Sequence, residues 1–193
     1  MSTSSWKKWL RTTLERTSAL NRPLRVAILG VGNELNGDDA AGVLAARRLN
    51  EKVTASSRKP TGEGASNTGK SGAENVLVLE GGLAPENFTG VLRRFHPDLL
   101  LLIDAVWFGS RPGAIILLDG AQATGVGAST HLQPLSNLSQ FLVEEMGCEV
   151  QILGIQAQQL DFDRPLSPPV RRAIRSLVDE LAAWLPAVST LDR

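Results

Sequence analysis

A chain of 193 residues with 42% apolar content is long enough to bury one substantial core, and it fits one domain better than two. Twenty basic residues cancel twenty acidic ones, so no chain-wide positive field is available to hold a nucleic-acid backbone. No apolar run approaches the roughly 18 to 20 residues of a bilayer crossing, the N-terminus lacks a secretory apolar segment, and a lone cysteine, Cys148, excludes an internal disulfide or a multi-cysteine zinc site. These features fit a soluble cytoplasmic protein with no transmembrane segment, and the absence of heptads fits a monomer.

Residues 1–24 form a basic extension in which Lys7, Lys8, Arg11, Arg16 and Arg22 stand against Glu15 alone, with Trp6, Trp9, Leu10 and Leu14 interleaved. Such a segment reads as an amphipathic helix, either packed on the domain or free as a docking or membrane-surface element. The body of the chain, 25–188, then alternates, before a short tail at 189–193. Arg25 to Gly30 reads as a strand, Asp39 to about Glu51 as a helix, Asn75 to Glu80 as a strand, Pro85 to Phe95 as a helix and Leu99 to Asp104 as a strand. Ala114 to Asp119 follows after too short a connection for a crossover helix and is expected to run antiparallel to its predecessor. A helix from about Leu135 to Met146, a strand from Glu149 to Ile155 and a closing helix from Pro168 to Trp184 complete the body. This alternation predicts a mainly parallel, twisted sheet of about five strands with one antiparallel strand and helices on both faces. The Gly/Ser/Thr-rich stretch at 55–74 has almost nothing to bury and is expected to be a disordered insertion.

Parallel sheets bind ligands beyond the C-terminal ends of their strands. Gly32-Asn33, Gly81-Gly82 and Asp104-Ala105 all follow predicted strands, so three segments converge on one rim. Asp39, Asp104 and His131 fall there and make a plausible two-carboxylate, one-imidazole site with open positions for water or substrate. Mixed oxygen and nitrogen donors suit borderline first-row ions such as nickel or zinc. Asn33, Asp38, Gly81 and Gly82 on the same rim are the candidate substrate contacts. Asp38 has a competing reading as a helix cap. Asp39 does not share it, because one cap meets the need and a second adjacent carboxylate brings like-charge repulsion that a cation would relieve. His96 reads as a surface residue and Cys148 as a small packing residue.

Rival chemistries have less support. No Gly-x-Ser-x-Gly elbow exists. Gly64 to Ser71 matches a phosphate-loop pattern formally, but both flanks are polar where a buried strand and a helix are required. Gly30-Val31-Gly32 opens a dinucleotide fingerprint whose third glycine position holds Leu35.

Gly30-Val31-Gly32-Asn33-x-Leu35-x-Gly37-Asp38-Asp39-x-x-Gly42, Gly81-Gly82-Leu83-Ala84-Pro85-Glu86-Asn87, Ile103-Asp104-Ala105, Thr130-His131 and Leu153-Gly154-Ile155-Gln156 occur in this order. The set resembles the hydrogenase maturation endopeptidases over roughly residues 25 to 185, most nearly the type that processes the large subunit of hydrogenase 3 in formate hydrogenlyase. The resemblance implies a phosphorylase/hydrolase-like α/β fold. It also implies a protease that trims a short C-terminal peptide from the large-subunit precursor of a NiFe hydrogenase once nickel is inserted. Family ligands carry over onto Asp39, Asp104 and His131. Nickel is then expected to arrive with the substrate, the resting site being empty or holding another divalent ion. Ala40 stands where many relatives have glycine, and the extension and the insertion are additions that bear on partner contacts. Two alternatives remain beside this expectation: a nickel checkpoint or chaperone that cuts nothing, and a nucleotide-binding protein.

Overall fold

The computed structural model describes residues 5–18, 22–57, 74–120 and 132–190. Its centre is a five-stranded sheet made of β1 (Val26–Val31), β2 (Val76–Gly82), β3 (Leu99–Val106), β4 (Ile115–Asp119) and β5 (Glu149–Gln156), in the order β2-β1-β3-β5-β4. Pairs β1–β2, β1–β3 and β3–β5 are parallel, and β4 lies antiparallel on β5. The expected antiparallel strand is therefore present, but β5 lies between it and β3. The connection after β3 only reverses the chain; the sequence could not reveal that a later strand occupies the place in between.

Alternation within each strand divides the core. Val26 and Ile28, with Leu99, Leu101 and Ile103, face one layer, whereas Ala27 and Leu29, with Leu100 and Leu102, face the other. The first layer is α2 (Ala41–Ser57), α5 (Pro168–Ser189) and α1 (Ser5–Ser18). The second is α3 (Thr89–Phe95) and α4 (Leu132–Met146), which contribute Leu92 and Leu142. Every residue of β1 and β3 is buried, as expected of strands covered on both faces.

Helix α1 uses its apolar side on α5. Trp6 and Leu10 are buried, Trp184 Nε1 donates to the Leu10 carbonyl at 2.9 Å, and Lys7 pairs with Glu180. The face that would have served a membrane or a docking partner is covered. Helix α2 continues through Ser57, past the predicted Glu51 and into the start of the predicted insertion. Residues 58–73 of that insertion, with the Gly64–Ser71 pattern, lie outside the described residues, as does most of the tail. Cys148 is buried, and burial pushes its thiol up from the ordinary range, in keeping with a packing role. His96 is exposed and ends α3 in the left-handed conformation.

Candidate active site

The crossover from β1 leads to β2 on one side and the next, from β2, returns past β1 to β3 on the other, so the sheet has its switch point between β1 and β3. Two glycines press the start of α2 onto that seam. A Cβ on Gly42 would stand 2.1 Å from the Ile103 carbonyl oxygen and 2.3 Å from that of Val31, and one on Gly30 would stand 2.1 Å from the Gly42 carbonyl oxygen. At this point the helix meets both strands backbone to backbone. Gly32, at φ +133, turns the chain out of β1, and the 3₁₀ turn Gly37–Ala40 brings it back over the strand ends.

This geometry gives Asp38 and Asp39 different surroundings. Asp38 is fully buried, but it caps no helix and is not on the wall of the cavity that Asp39 lines. Its Oδ1 accepts from the Ser167 N–H at 2.7 Å, while its Oδ2 accepts from the Gln158 N–H at 2.8 Å, the Gln159 N–H at 3.2 Å and the Ser167 hydroxyl at 2.9 Å. The expectations of a cap and of a substrate contact both give way here, because four internal donors occupy the carboxylate. Asp39 turns the other way, accepts from the Asn33 N–H at 3.1 Å, and lines a cavity of about 700 Å³.

Asp104 lines the same cavity. It lies within β3, which continues to Val106, so it sits deeper than the core–solvent boundary expected of a strand end and is 1% exposed. Its Oδ1 accepts from the Ala105 N–H at 2.8 Å, whereas its Oδ2 is buried with no hydrogen-bond partner among the described residues. Burial, and secondarily the neighbouring charge of Asp39, push its carboxyl well above the ordinary range. Such an oxygen calls for a proton or a cation, and oxygen donors of this kind fit a divalent ion.

Of the remaining candidates, Gly82 lines the cavity at φ +59 with open space around the position of a Cβ. Gly81 packs instead against Leu29, and Asn33 serves the turn, its side-chain oxygen accepting from the Leu35 N–H at 3.0 Å. His131 lies outside the described residues; Leu132, the next residue, begins α4, whose Asn137, Leu138 and Phe141 line the cavity. Among the described residues no third His, Cys, Asp or Glu joins the two acids to make a metal-holding group. Sequence reasoning missed Leu83, Glu86 and Thr89 on the wall, and also Phe141. Leu83 and Phe141 are exposed large apolar side chains, a property invisible before the fold is known. Gln156, at the end of the Leu153–Gln156 motif, is buried and braces the loop after β3, its Oε1 accepting from the Phe108 N–H at 3.0 Å and the Ser110 N–H at 3.1 Å.

The profile of the family described as hydrogenase maturation protease matches residues 66–184. The chain belongs to that family. It is 35% identical over 158 residues to the hydrogenase 3 maturation protease of Escherichia coli K12, covering 81% of this chain and 88% of that one. The NiFe hydrogenase maturation protease HycI of Thermococcus kodakarensis superposes with a TM-score of 0.70 at 29% identity, covering 89% of this chain and 98% of its own. The solution structure of the endopeptidase HycI from Escherichia coli gives 0.65 at 33% identity, over 83% and 91%. As a member of the maturation proteases the chain is a peptidase, and its five-stranded, mostly parallel sheet is their fold. None of the described helices is long and apolar enough to cross a membrane.

Proposed function

We propose that this protease removes a C-terminal peptide from the large-subunit precursor of a NiFe hydrogenase and that it senses nickel already held by that precursor. The observation that carries the reading is Asp104 Oδ2, a buried carboxyl oxygen with no hydrogen-bond partner among the described residues, beside Asp39 on the wall of the cavity. A divalent ion brought by the substrate would relieve the repulsion between the two acids and exchange for the proton that burial favours on Asp104. His131 completes the ligand set in this reading, as family resemblance implies. Three side chains can touch a metal that the substrate's own ligands retain, which makes nickel the signal and leaves it with the precursor. Docking in this way holds the scissile peptide in the cavity, and the ionised Asp104 can then accept a proton from an attacking water.

A protein substrate also accounts for the surroundings of the cavity. Leu35, Leu83, Trp107, Leu160 and Phe162 are exposed on segments that follow β1, β2, β3 and β5, and Phe141 is exposed on α4. Apolar side chains gathered at one rim suit a macromolecular partner better than a small polar one. A cytoplasmic site of action and a monomeric enzyme belong to the same proposal.

The test is incubation with nickel-loaded and nickel-free precursor, followed by mass spectrometry of the precursor C-terminus. Shortening of the loaded form alone is expected. Equal shortening of both defeats nickel sensing, and shortening of neither defeats the assignment of substrate.

A further inference from the structure

We infer that Asp38 is a positioning residue that fixes the Asp39 carboxylate by pinning its turn to the 158–167 loop; the inference rests on the reading of Asp39 as part of the reactive site. The two segments are knitted along their length. Besides the four bonds to the Asp38 carboxylate, the Asp38 N–H donates to the Gln159 carbonyl at 3.0 Å, the Asp163 N–H donates to the Leu35 carbonyl at 2.8 Å, and Asn36 bridges to Arg164. On its other side the turn defines Asp39. The Asp39 N–H donates to the Asn36 carbonyl at 3.0 Å, and Asp39 Oδ2 accepts from the Asn33 N–H at 3.1 Å. A shift of the turn therefore moves the Asp39 carboxylate against the Asn33 N–H.

The choice of an acid follows from the donors. Four hydrogens converge on two oxygens, and a carboxylate is the side chain that offers acceptors alone at both heads. An amide would turn an N–H towards either Ser167 or the Gln158 and Gln159 pair. A hydroxyl or amide would avoid burying a second acid beside Asp39, yet would leave donors unmet and the turn free to shift. Groups that act on substrate depend on such supports, because small displacements cost large factors in rate.

Asp38→Asn tests this, with amide hydrogen exchange and amide chemical shifts measured alongside kinetics on nickel-loaded precursor at a temperature where thermal unfolding shows the variant folded. The Asn33 amide is expected to shift and to exchange roughly 10-fold faster, together with those of Gln158, Gln159 and Ser167. kcat is expected to fall about 10-fold or more while KM stays within about 2-fold. A brace that only holds the loop would disturb Gln158, Gln159 and Ser167 and leave Asn33 and kcat per folded molecule at wild-type values, and either unchanged value overturns the inference. Should Asp38→Asn fail to fold, Ser167→Ala removes one donor; the same pattern is expected with a loss of about 2- to 5-fold, and an unmoved Asn33 again overturns it. Wild-type enzyme that leaves the loaded precursor uncut defeats the proposed substrate, whereas the Asn33 amide needs no substrate and decides the role of Asp38 by itself.

Discussion

Asp104→Asn should stabilise the fold while destroying its activity. The folded protein holds the Asp104 carboxyl well above its ordinary range, through burial first and the Asp39 charge second. The sign follows from linkage: a group that binds its proton more tightly when folded contributes most below the unfolded value near pH 3.9, and that contribution is lost as pH rises towards the folded value. At about 1.36 kcal/mol per pH unit, the roughly three units between 3.9 and 7 set a ceiling of about 4 kcal/mol on the penalty at neutral pH. Asparagine keeps the acceptor for the Ala105 N–H and removes the charge from the unpartnered position. Its amide must still be buried there, so a net gain of about 1 to 3 kcal/mol is reasonable. For a chain of this size that is a rise in Tm of roughly 3 to 10 °C at pH 7. Paired thermal unfolding of wild type and variant at pH 7 and pH 5 measures it. The difference should shrink at pH 5, because the wild-type penalty is mostly removed by protonation. A variant less stable than wild type at pH 7, or a difference independent of pH, would refute the claim that Asp104 is held against its ionisation.

Gly42→Ala would drive a Cβ to 2.1 Å from the Ile103 carbonyl oxygen, and backbone on both sides prevents an easy escape. A loss of about 3 kcal/mol or more is expected, seen as a fall in Tm of roughly 6 to 12 °C; an unchanged Tm would mean the helix does not rest on the seam. Leu10→Ala, on the buried face of α1, should cost about 2 to 3 kcal/mol in denaturant unfolding and leave kcat intact, whereas a surface-docking helix would lose almost nothing. Leu83→Ser with Phe141→Ser should raise KM for the protein precursor about 5-fold without lowering kcat, and Tm should move little since both side chains are exposed; an unaltered KM would separate the cavity mouth from substrate capture.

The strands were legible because a doubly covered sheet writes itself as unbroken apolar runs. Val26 to Leu29 and Leu99 to Ile103 admit few other readings when glycine or proline bounds them. Rim residues followed from the same logic, since the ends of those runs are where a parallel sheet presents its loops. The order of strands was less accessible. Nothing local to Ala114–Asp119 says that Glu149–Gln156 will fill the place beside β3, because register and neighbourhood are set by contacts far apart in sequence. Helix ends were hidden for a related reason. Val53 packs against the first core layer, and α2 is carried by that tertiary contact into the start of a polar stretch that composition alone reads as coil.

Adjacent acids illustrate what a one-dimensional pattern withholds. With Asp38 read as a helix cap and Asp39 as a second acid beside it, their mutual repulsion became an argument for a nearby cation. The chain resolves that repulsion differently, by placing both in a 3₁₀ turn, where three residues complete a circle and successive side chains point about 120° apart. Asp38 is thereby turned into the 158–167 loop, where internal donors take up its charge, and Asp39 alone is turned towards Asp104 and the cavity. The acid that burial leaves short of a partner among the described residues is thus Asp104, beside the charge of Asp39, and the two are joined across 65 residues of sequence by two glycines that let a helix lie on two strands at once. The place proposed for a cation is therefore carried by residues distant in sequence. It also becomes local to the cavity, which is where a substrate bearing that cation would have to present it.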